Sequence, residues 1–100
     1  MVTVDSSRRF RFSNKISREA GFRPGQKLAV VATSSNTFQI VSSRKVSKNS
    51  DAIRYSVEKD GRIRVSERGL NKLGVTRNSR RRNASNFPVN VSRGSITVSI

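Results

Sequence analysis

The sequence predicts a mainly β protein with two short helices, arranged as two tandem β-β-α-β-β repeats. Two segments read almost alike: VDSSRRFRFSNKISREAGF at 4–22 and VEKDGRIRVSERGLNKLGV at 57–75. Aligned without gaps, five of the nineteen pairs are identical, and the order of polar and apolar residues also matches. Each segment contains a period-two alternation followed by a serine and, eight residues later, a glycine. Internal repetition of this kind indicates one structural unit used twice.

The first repeat begins with β-prone residues at 2–4, followed by a polar turn. Arg-Phe-Arg-Phe at 9–12 alternates strictly, so the phenylalanines are expected in a core and the arginines towards water or a ligand. Ser13 is suited to cap a short helix over 14–20, and Gly21 is suited to end it. This part of the chain therefore predicts strand, turn, strand and helix.

A hairpin and a linker are predicted next. Pro24-Gly25 marks a turn, and two β-prone runs follow at 26–32 and 37–42, separated by the polar segment 33–36. Two such runs joined by a short polar segment indicate a β-hairpin. The Ser-rich segment 43–52 has no clear period, and we interpret it as the linker between the repeats.

The second repeat follows the same plan. Residues 53–58 alternate, Asp60-Gly61 is a strong turn signal, and Arg-Ile-Arg-Val at 62–65 alternates again. Ser66 is suited to cap a second short helix whose leucines form its apolar side, and Gly74 is suited to end it.

A basic insertion separates this helix from the last hairpin. Residues 76–86 read TRNSRRRNASN, and a final hairpin is predicted from 88–91 and 95–100. The predicted organisation is one compact domain, with a first repeat at 1–42, a linker at 43–52 and a second repeat at 53–100.

The charge of the chain indicates a polyanionic partner. Lys and Arg number 21 against 6 Asp and Glu, a net charge of +15, while hydrophobic residues make up only 33%. Such self-repulsion opposes compaction unless a polyanion neutralises it, and nucleic acid gains affinity by releasing condensed counterions. A membrane surface would call for a wide amphipathic helix, which the sequence does not predict. A disordered basic tail is disfavoured because the cations alternate with apolar residues.

The residue types disfavour catalysis and metal binding. The chain has no Cys and no His, which removes thiolate ligands, imidazole ligands and the commonest general base. Its six acidic residues form no cluster in the sequence, so we expect no enzyme activity, no metal, no cofactor and no small-molecule substrate. Neither a signal peptide nor an apolar run of ~20 residues is predicted, so the expected location is the cytoplasm, in association with the nucleoid.

The order of these elements resembles the AbrB/MazE/MraZ superfamily of swapped-hairpin DNA-binding domains. In the second copy the residues that match are Val57, Glu58, Asp60-Gly61-Arg62, Ile63, Val65, Leu73-Gly74 and Val75. In the first copy they are Val4-Asp5, Arg9, Phe10, Phe12, Gly21-Phe22 and Pro24-Gly25.

The chain also departs from the family pattern. Arg8 stands where the family has a glycine, and Ser13 and Ser66 stand where it often has a proline. The resemblance implies a pseudo-twofold swapped-hairpin β-barrel that binds DNA, as a monomeric pseudo-dimer or a homodimer. MazE-type antitoxins continue into an acidic tail that grips a toxin, and because the last predicted strand is not followed by such a segment, we do not expect an antitoxin role.

The resemblance places the DNA-binding arginines on the first hairpin of each copy, and the strand alternation agrees. The two central pairs are Arg9 with Arg11 and Arg62 with Arg64. Further cations are expected around them: Arg8, Lys15, Arg18 and Arg23 in the first copy, and Arg68, Lys72 and Arg77 in the second. Three adjacent arginines in the insertion, Arg80, Arg81 and Arg82, are expected in a loop that contacts phosphates or a narrow minor groove.

Three functions agree with these observations. The first is double-stranded DNA binding, as a transcriptional regulator or a nucleoid-associated architectural protein. The second is an RNA-binding structural protein of the ribosomal kind, and the third is a small basic module that binds and modulates an acidic partner protein. Among the aromatic residues only Tyr55 and Phe87 are expected to be free to stack on a base, which argues against a single-strand stacking platform.

Overall fold

The alternating segments form strands in the computed structural model of the chain, which describes residues 2–4, 8–47, 52–75 and 87–100. The prediction of a mainly β fold with two short helices is confirmed. The strands are β1 (Val2–Val4), β2 (Arg9–Phe12), β3 (Lys27–Ser34), β4 (Thr37–Ser42), β5 (Ile53–Ser56), β6 (Ile63–Ser66), β7 (Val89–Ser92) and β8 (Ser95–Ser99). The helices are α1 (Asn14–Glu19) and α2 (Glu67–Lys72), with a 3₁₀ turn at Ser43–Lys45.

The strands form two antiparallel sheets, with orders β1-β2-β6 and β5-β3-β4-β8-β7. The two predicted hairpins are present as β3–β4 and β7–β8. Three ladders join strands on either side of the predicted linker: β2 with β6, β3 with β5, and β4 with β8. The start of that linker is more ordered than expected, because Ser43–Lys45 forms the 3₁₀ turn.

The alternation places every second residue of these strands in one core between the sheets. Phe10 and Phe12 of β2 meet Phe38 of β4, with ring centroids 5.8 and 6.4 Å apart in edge-to-face arrangements. Such geometry suits the quadrupoles of aromatic rings. Phe87 also packs on Phe10, at 5.3 Å, and is only 5% exposed. The expectation that Phe87 is free to stack on a base is therefore wrong.

Both helices begin at the predicted serines. The Ser13 hydroxyl accepts a hydrogen bond from the Ile16 amide at 3.4 Å, and the Ser66 hydroxyl accepts one from the Gly69 amide at 3.0 Å. These bonds satisfy amides that a helix leaves unpaired in its first turn. Each helix therefore starts directly where an alternating strand ends.

The register between β2 and β6 is symmetric about one residue pair. Arg11 lies opposite Arg64, with Phe10 opposite Val65 on one side and Phe12 opposite Ile63 on the other. Arg11 and Arg64 are also counterparts in the sequence repeat. The ladder therefore joins the two copies of one motif through their equivalent residues.

Two equivalent residues, Arg8 just before β2 and Gly61 before β6, also share a positive φ angle. Arg8 has a φ of +57°, and Gly61, its counterpart in the repeat, has a φ of +86°. The Arg8 carbonyl accepts a hydrogen bond from the Glu67 amide of α2 at 2.9 Å, and Gly61 lies against Asn14 at the start of α1. Arg8 and Gly61 therefore each contact the helix of the other copy.

The predicted closed barrel is not observed, since the described strands form two open sheets. The sheets approach at one corner, where the Glu58 amide donates to the Arg62 carbonyl at 2.9 Å and the Val57 amide donates to the Gln26 carbonyl at 2.9 Å. β1 is the outer strand of the smaller sheet, and no described strand pairs with the outer edge of β7. A closed barrel would need pairing between the edge strands of the two sheets.

Candidate nucleic-acid interface

The side of the three-stranded sheet that faces away from the core is arginine-rich. Because alternate residues of β2 and β6 are buried, Arg9, Arg11 and Arg64 project from the opposite side. Each of these three side chains is half-buried. We call Arg9, Arg11 and Arg64 the outer-face arginines. The structure thus brings together three of the four arginines that the sequence analysis placed at the centre of the site.

The central feature of this face is the pairing of Arg11 with Arg64 on neighbouring strands. Side chains directly opposite in an antiparallel ladder have Cβ atoms only ~4.5–5.5 Å apart, and like charges there are destabilising. The Arg11 side chain has no hydrogen-bond or ion-pair partner within the described part of the chain. The fold therefore holds two positive charges together on its surface.

Two carboxylates lie beside the second arginine pair. Glu58 Oε1 is 3.5 Å from an Arg64 guanidinium nitrogen, and Asp60 Oδ2 is 3.5 Å from Arg62 Nε. Asp60 also accepts a hydrogen bond from the Arg62 amide at 3.0 Å. Arg62 itself precedes β6, and its side chain is 51% exposed. The Arg62–Asp60 pair is about half exposed and the Arg64–Glu58 pair about one-third exposed, so solvent screens both and each contributes little to stability.

Arg64 retains unused hydrogen-bonding capacity. Its Nε atom is buried and has no hydrogen-bond partner among the described residues. A buried donor without a partner costs free energy. The Arg64 side chain as a whole is 31% exposed, so the residue is accessible to a ligand at the surface.

Arg8 and Arg68 lie together in a second location, at the start of α2. They line a shallow groove of about 330 Å³ with Ser66, Glu67 and Asn71. Both arginines are exposed. Ser66 also lies on β6, directly opposite Arg9, so this groove adjoins the outer-face arginines.

The remaining predicted cations are distributed over other elements. Lys15 and Arg18 are exposed on α1, and Lys72 is exposed in the last turn of α2. Arg23 is separate, because it precedes β3 and lines a cleft on the five-stranded sheet. The predictions for Arg77, Arg80, Arg81 and Arg82 lie outside the described residues.

Tyr55 is less available for stacking than the sequence analysis expected. Its hydroxyl lies 3.3 Å from the Ser66 hydroxyl, in hydrogen-bond contact. A Cβ at Gly69 would lie 2.7 Å from that same Tyr55 oxygen. Tyr55 therefore packs β5 against the start of α2.

The described residues contain no group of three Cys, His, Asp or Glu side chains that would hold a metal ion. In the same ranges, neither helix is long and apolar enough to span a membrane.

Sequence reasoning missed two cations, Lys27 and Arg44, which line the cleft with Arg23. They are distant in sequence, and only the β3–β4 ladder brings them together.

Sequence reasoning also missed the contact of Glu58 with Arg64. The Asp60-Gly61 turn could have indicated it, because a hairpin at this turn places Glu58 beside Arg62 and its neighbours.

No protein-family model, curated protein or solved structure matches this chain.

Proposed function

We propose that this chain binds double-stranded DNA through the outer-face arginines, with Arg62 and the groove of Arg8 and Arg68 at the border of the contact. The observation that supports this most strongly is the placement of Arg11 opposite Arg64. Two like charges on neighbouring strands repel each other and destabilise the folded chain. A bound polyanion would neutralise them, so relief of this repulsion would add to the free energy of binding.

The proposed mechanism is electrostatic docking followed by local arginine contacts. A net charge of +15 attracts the duplex and releases its condensed counterions. Arginine can bind a phosphate through two parallel hydrogen bonds, and it can bind the O6 and N7 atoms of guanine in the same way. On docking, phosphates would replace Glu58 at Arg64 and Asp60 at Arg62.

The fold proposed for this function is the swapped-hairpin domain that the sequence resembles. Support comes from the ladders β2–β6 and β4–β8, each of which pairs a strand of one repeat with its counterpart in the other. The equivalent turns at Arg8 and Gly61 add to this support. One chain would then supply both halves of a pseudo-twofold DNA-binding unit, alone or as a homodimer.

The proposed role is that of a transcriptional regulator or a nucleoid-associated architectural protein in the cytoplasm. The high net charge favours weak sequence discrimination, because contacts to phosphates carry no sequence information. The pairs of arginines leave room for some reading of base edges.

A comparison of three ligands tests the proposal. Affinity is measured for duplex DNA, duplex RNA and single-stranded DNA of equal length, on the wild type and on Arg62→Ala/Arg64→Ala. We expect duplex DNA to bind best, and the double variant to lose more than about 1 kcal/mol of binding free energy. Preference for duplex RNA would favour the ribosomal-type function. Equal binding of all three ligands with an indifferent variant would favour a protein partner.

A further inference from the structure

A cleft at the base of the β3–β4 hairpin is lined by cations. It measures about 670 Å³ and opens between the turn that precedes β3 and the 3₁₀ turn that follows β4. Arg23, Lys27 and Arg44 line it, together with Ser42 and Ser43, and among the described residues no carboxylate lines it. None of the outer-face arginines contributes to it.

The three cations have no side-chain partner in the part of the chain that the structure describes. In the described ranges, the side chains of Arg23, Lys27 and Arg44 form no hydrogen bond or ion pair. All three residues are exposed at the cleft. Cations that share a concave surface raise the local concentration of anions.

The backbone on the β3 side of the cleft is held in place. Gln26 closes the turn twice: its side-chain oxygen accepts from the Arg23 amide at 3.0 Å, and its own amide donates to the Arg23 carbonyl at 3.0 Å. The Gly25 amide donates to the Val57 carbonyl at 2.8 Å, and its φ of +82° is one that glycine adopts without strain. The base of the Arg23 and Lys27 side chains is thereby fixed.

The other wall is held by Arg54 of β5. Its guanidinium donates to the Ser43 hydroxyl at 2.6 Å, to the Ser43 carbonyl at 3.3 Å and to the Ser47 carbonyl at 3.1 Å. Because the Ser43 oxygen accepts from Arg54, its own O–H remains a donor. Arg54 thus adds positive charge behind Ser43 and orients its hydroxyl.

We propose that this cleft binds the phosphate groups of a phosphodiester or polyphosphate ligand. Three cations and a polarised hydroxyl, with no carboxylate among the described lining residues, match the acceptor oxygens of phosphate. The site shares no residue with the outer-face arginines, and it does not require them to bind DNA. Two kinds of ligand carry such phosphate groups: a nucleic-acid backbone and a free polyphosphate compound.

Titration calorimetry at low ionic strength with inorganic pyrophosphate tests the site. The variant is Lys27→Gln/Arg44→Gln, and the control is Lys59→Gln/Arg93→Gln, which removes two other exposed cations and the same charge. We expect the wild type and the control to bind pyrophosphate alike, and the cleft variant to bind at least about tenfold more weakly. Equal losses in the two variants, or no pyrophosphate binding by the wild type, would overturn the proposal.

A duplex DNA titration of the same proteins identifies the source of the phosphate. If the cleft variant also loses more duplex affinity than the control, the site binds a nucleic-acid backbone. If only pyrophosphate binding is lost, it binds a free polyphosphate. Arg62→Ala/Arg64→Ala should keep pyrophosphate binding at the cleft, so failure of the proposed DNA interface is measured separately.

Discussion

Arg11 and Arg64 lie directly opposite each other at the centre of the ladder that joins β2 to β6. They are also the same position in two copies of one sequence motif. The pairing of β2 with β6 has a local twofold relation, and Arg11 and Arg64 lie at its centre. Equivalent residues at that centre must be neighbours, so a charge at this position of the motif occurs twice on the same patch of surface. A duplicated motif thereby places two equivalent arginines, and their positive charges, next to each other.

This relationship predicts a conflict between folding and binding at Arg11. Arg11→Gln removes one of two opposed like charges, so the free energy of unfolding at low salt should rise by about 0.5 kcal/mol. The affinity for duplex DNA should fall, because one phosphate contact is lost. Denaturant unfolding and a DNA titration check the two effects, with Arg93→Gln as a charge-matched control. Loss of both stability and affinity would contradict this account of the pair.

A second prediction concerns Arg8, whose φ of +57° lies in the left-handed region. Arg8→Gly should relieve a strain of about 1 kcal/mol, because a side chain is disfavoured in that conformation and glycine is not. Gly61 already occupies the equivalent turn with a φ of +86°.

Thermal and denaturant unfolding measure this change, and Arg8→Ala provides the comparison. It removes the same charge and keeps the Cβ atom, so it should give little or none of the gain. Equal stability of the two variants would show that the turn is not strained.

The alternation and the helix caps made the local structure predictable. Ser13 and Ser66 each follow an alternating strand, and both start a helix as expected. The partners of β5 were not predictable, because its equivalent β1 pairs with β2 while β5 pairs with β3. Two copies of a motif encode the same local preferences, and only long-range packing distinguishes where their first strands pair.

The candidate site was also predictable only where its residues follow a local sequence pattern. Alternation identified the outward side of Arg9, Arg11 and Arg64, since the phenylalanines between them required a core. It gave no information on Arg23, which follows a helix and lies in a turn without a period. Phe87 was wrongly expected to be accessible, because a lone aromatic residue before a proline shows no pattern that would mark it as core.

A third prediction concerns Glu58, which lies 3.5 Å from Arg64. Glu58→Gln should strengthen duplex DNA binding, because it removes a charge that repels phosphate and releases Arg64 from its ion pair. The stability cost should stay below about 1 kcal/mol, since the pair is about one-third exposed and screened by solvent. Glu19→Gln on α1 is the control with the same charge change. An equal gain in both variants would reflect net charge alone.

A fourth prediction concerns Phe38, which is fully buried and contacts both Phe10 and Phe12. Phe38→Ala should cost about 3–5 kcal/mol of unfolding free energy, much of the stability expected for a domain of this size. Phe38→Leu retains most of the buried volume and should cost markedly less. Denaturant unfolding of both variants measures these costs, and their difference shows how much of the loss comes from the removed buried volume. A cost below about 1 kcal/mol for Phe38→Ala would contradict the assignment of Phe38 to the core.

The salt dependence of duplex DNA affinity tests the central claim most directly. The slope of log affinity against log salt is compared for the wild type, Arg11→Gln/Arg64→Gln, and the charge-matched Lys59→Gln/Arg93→Gln. If Arg11 and Arg64 both contact phosphates, their replacement should reduce the slope by about 1.8, and the control should change it by less than half as much. Equal slopes for the two double variants would show that DNA does not bind at the face where Arg11 meets Arg64.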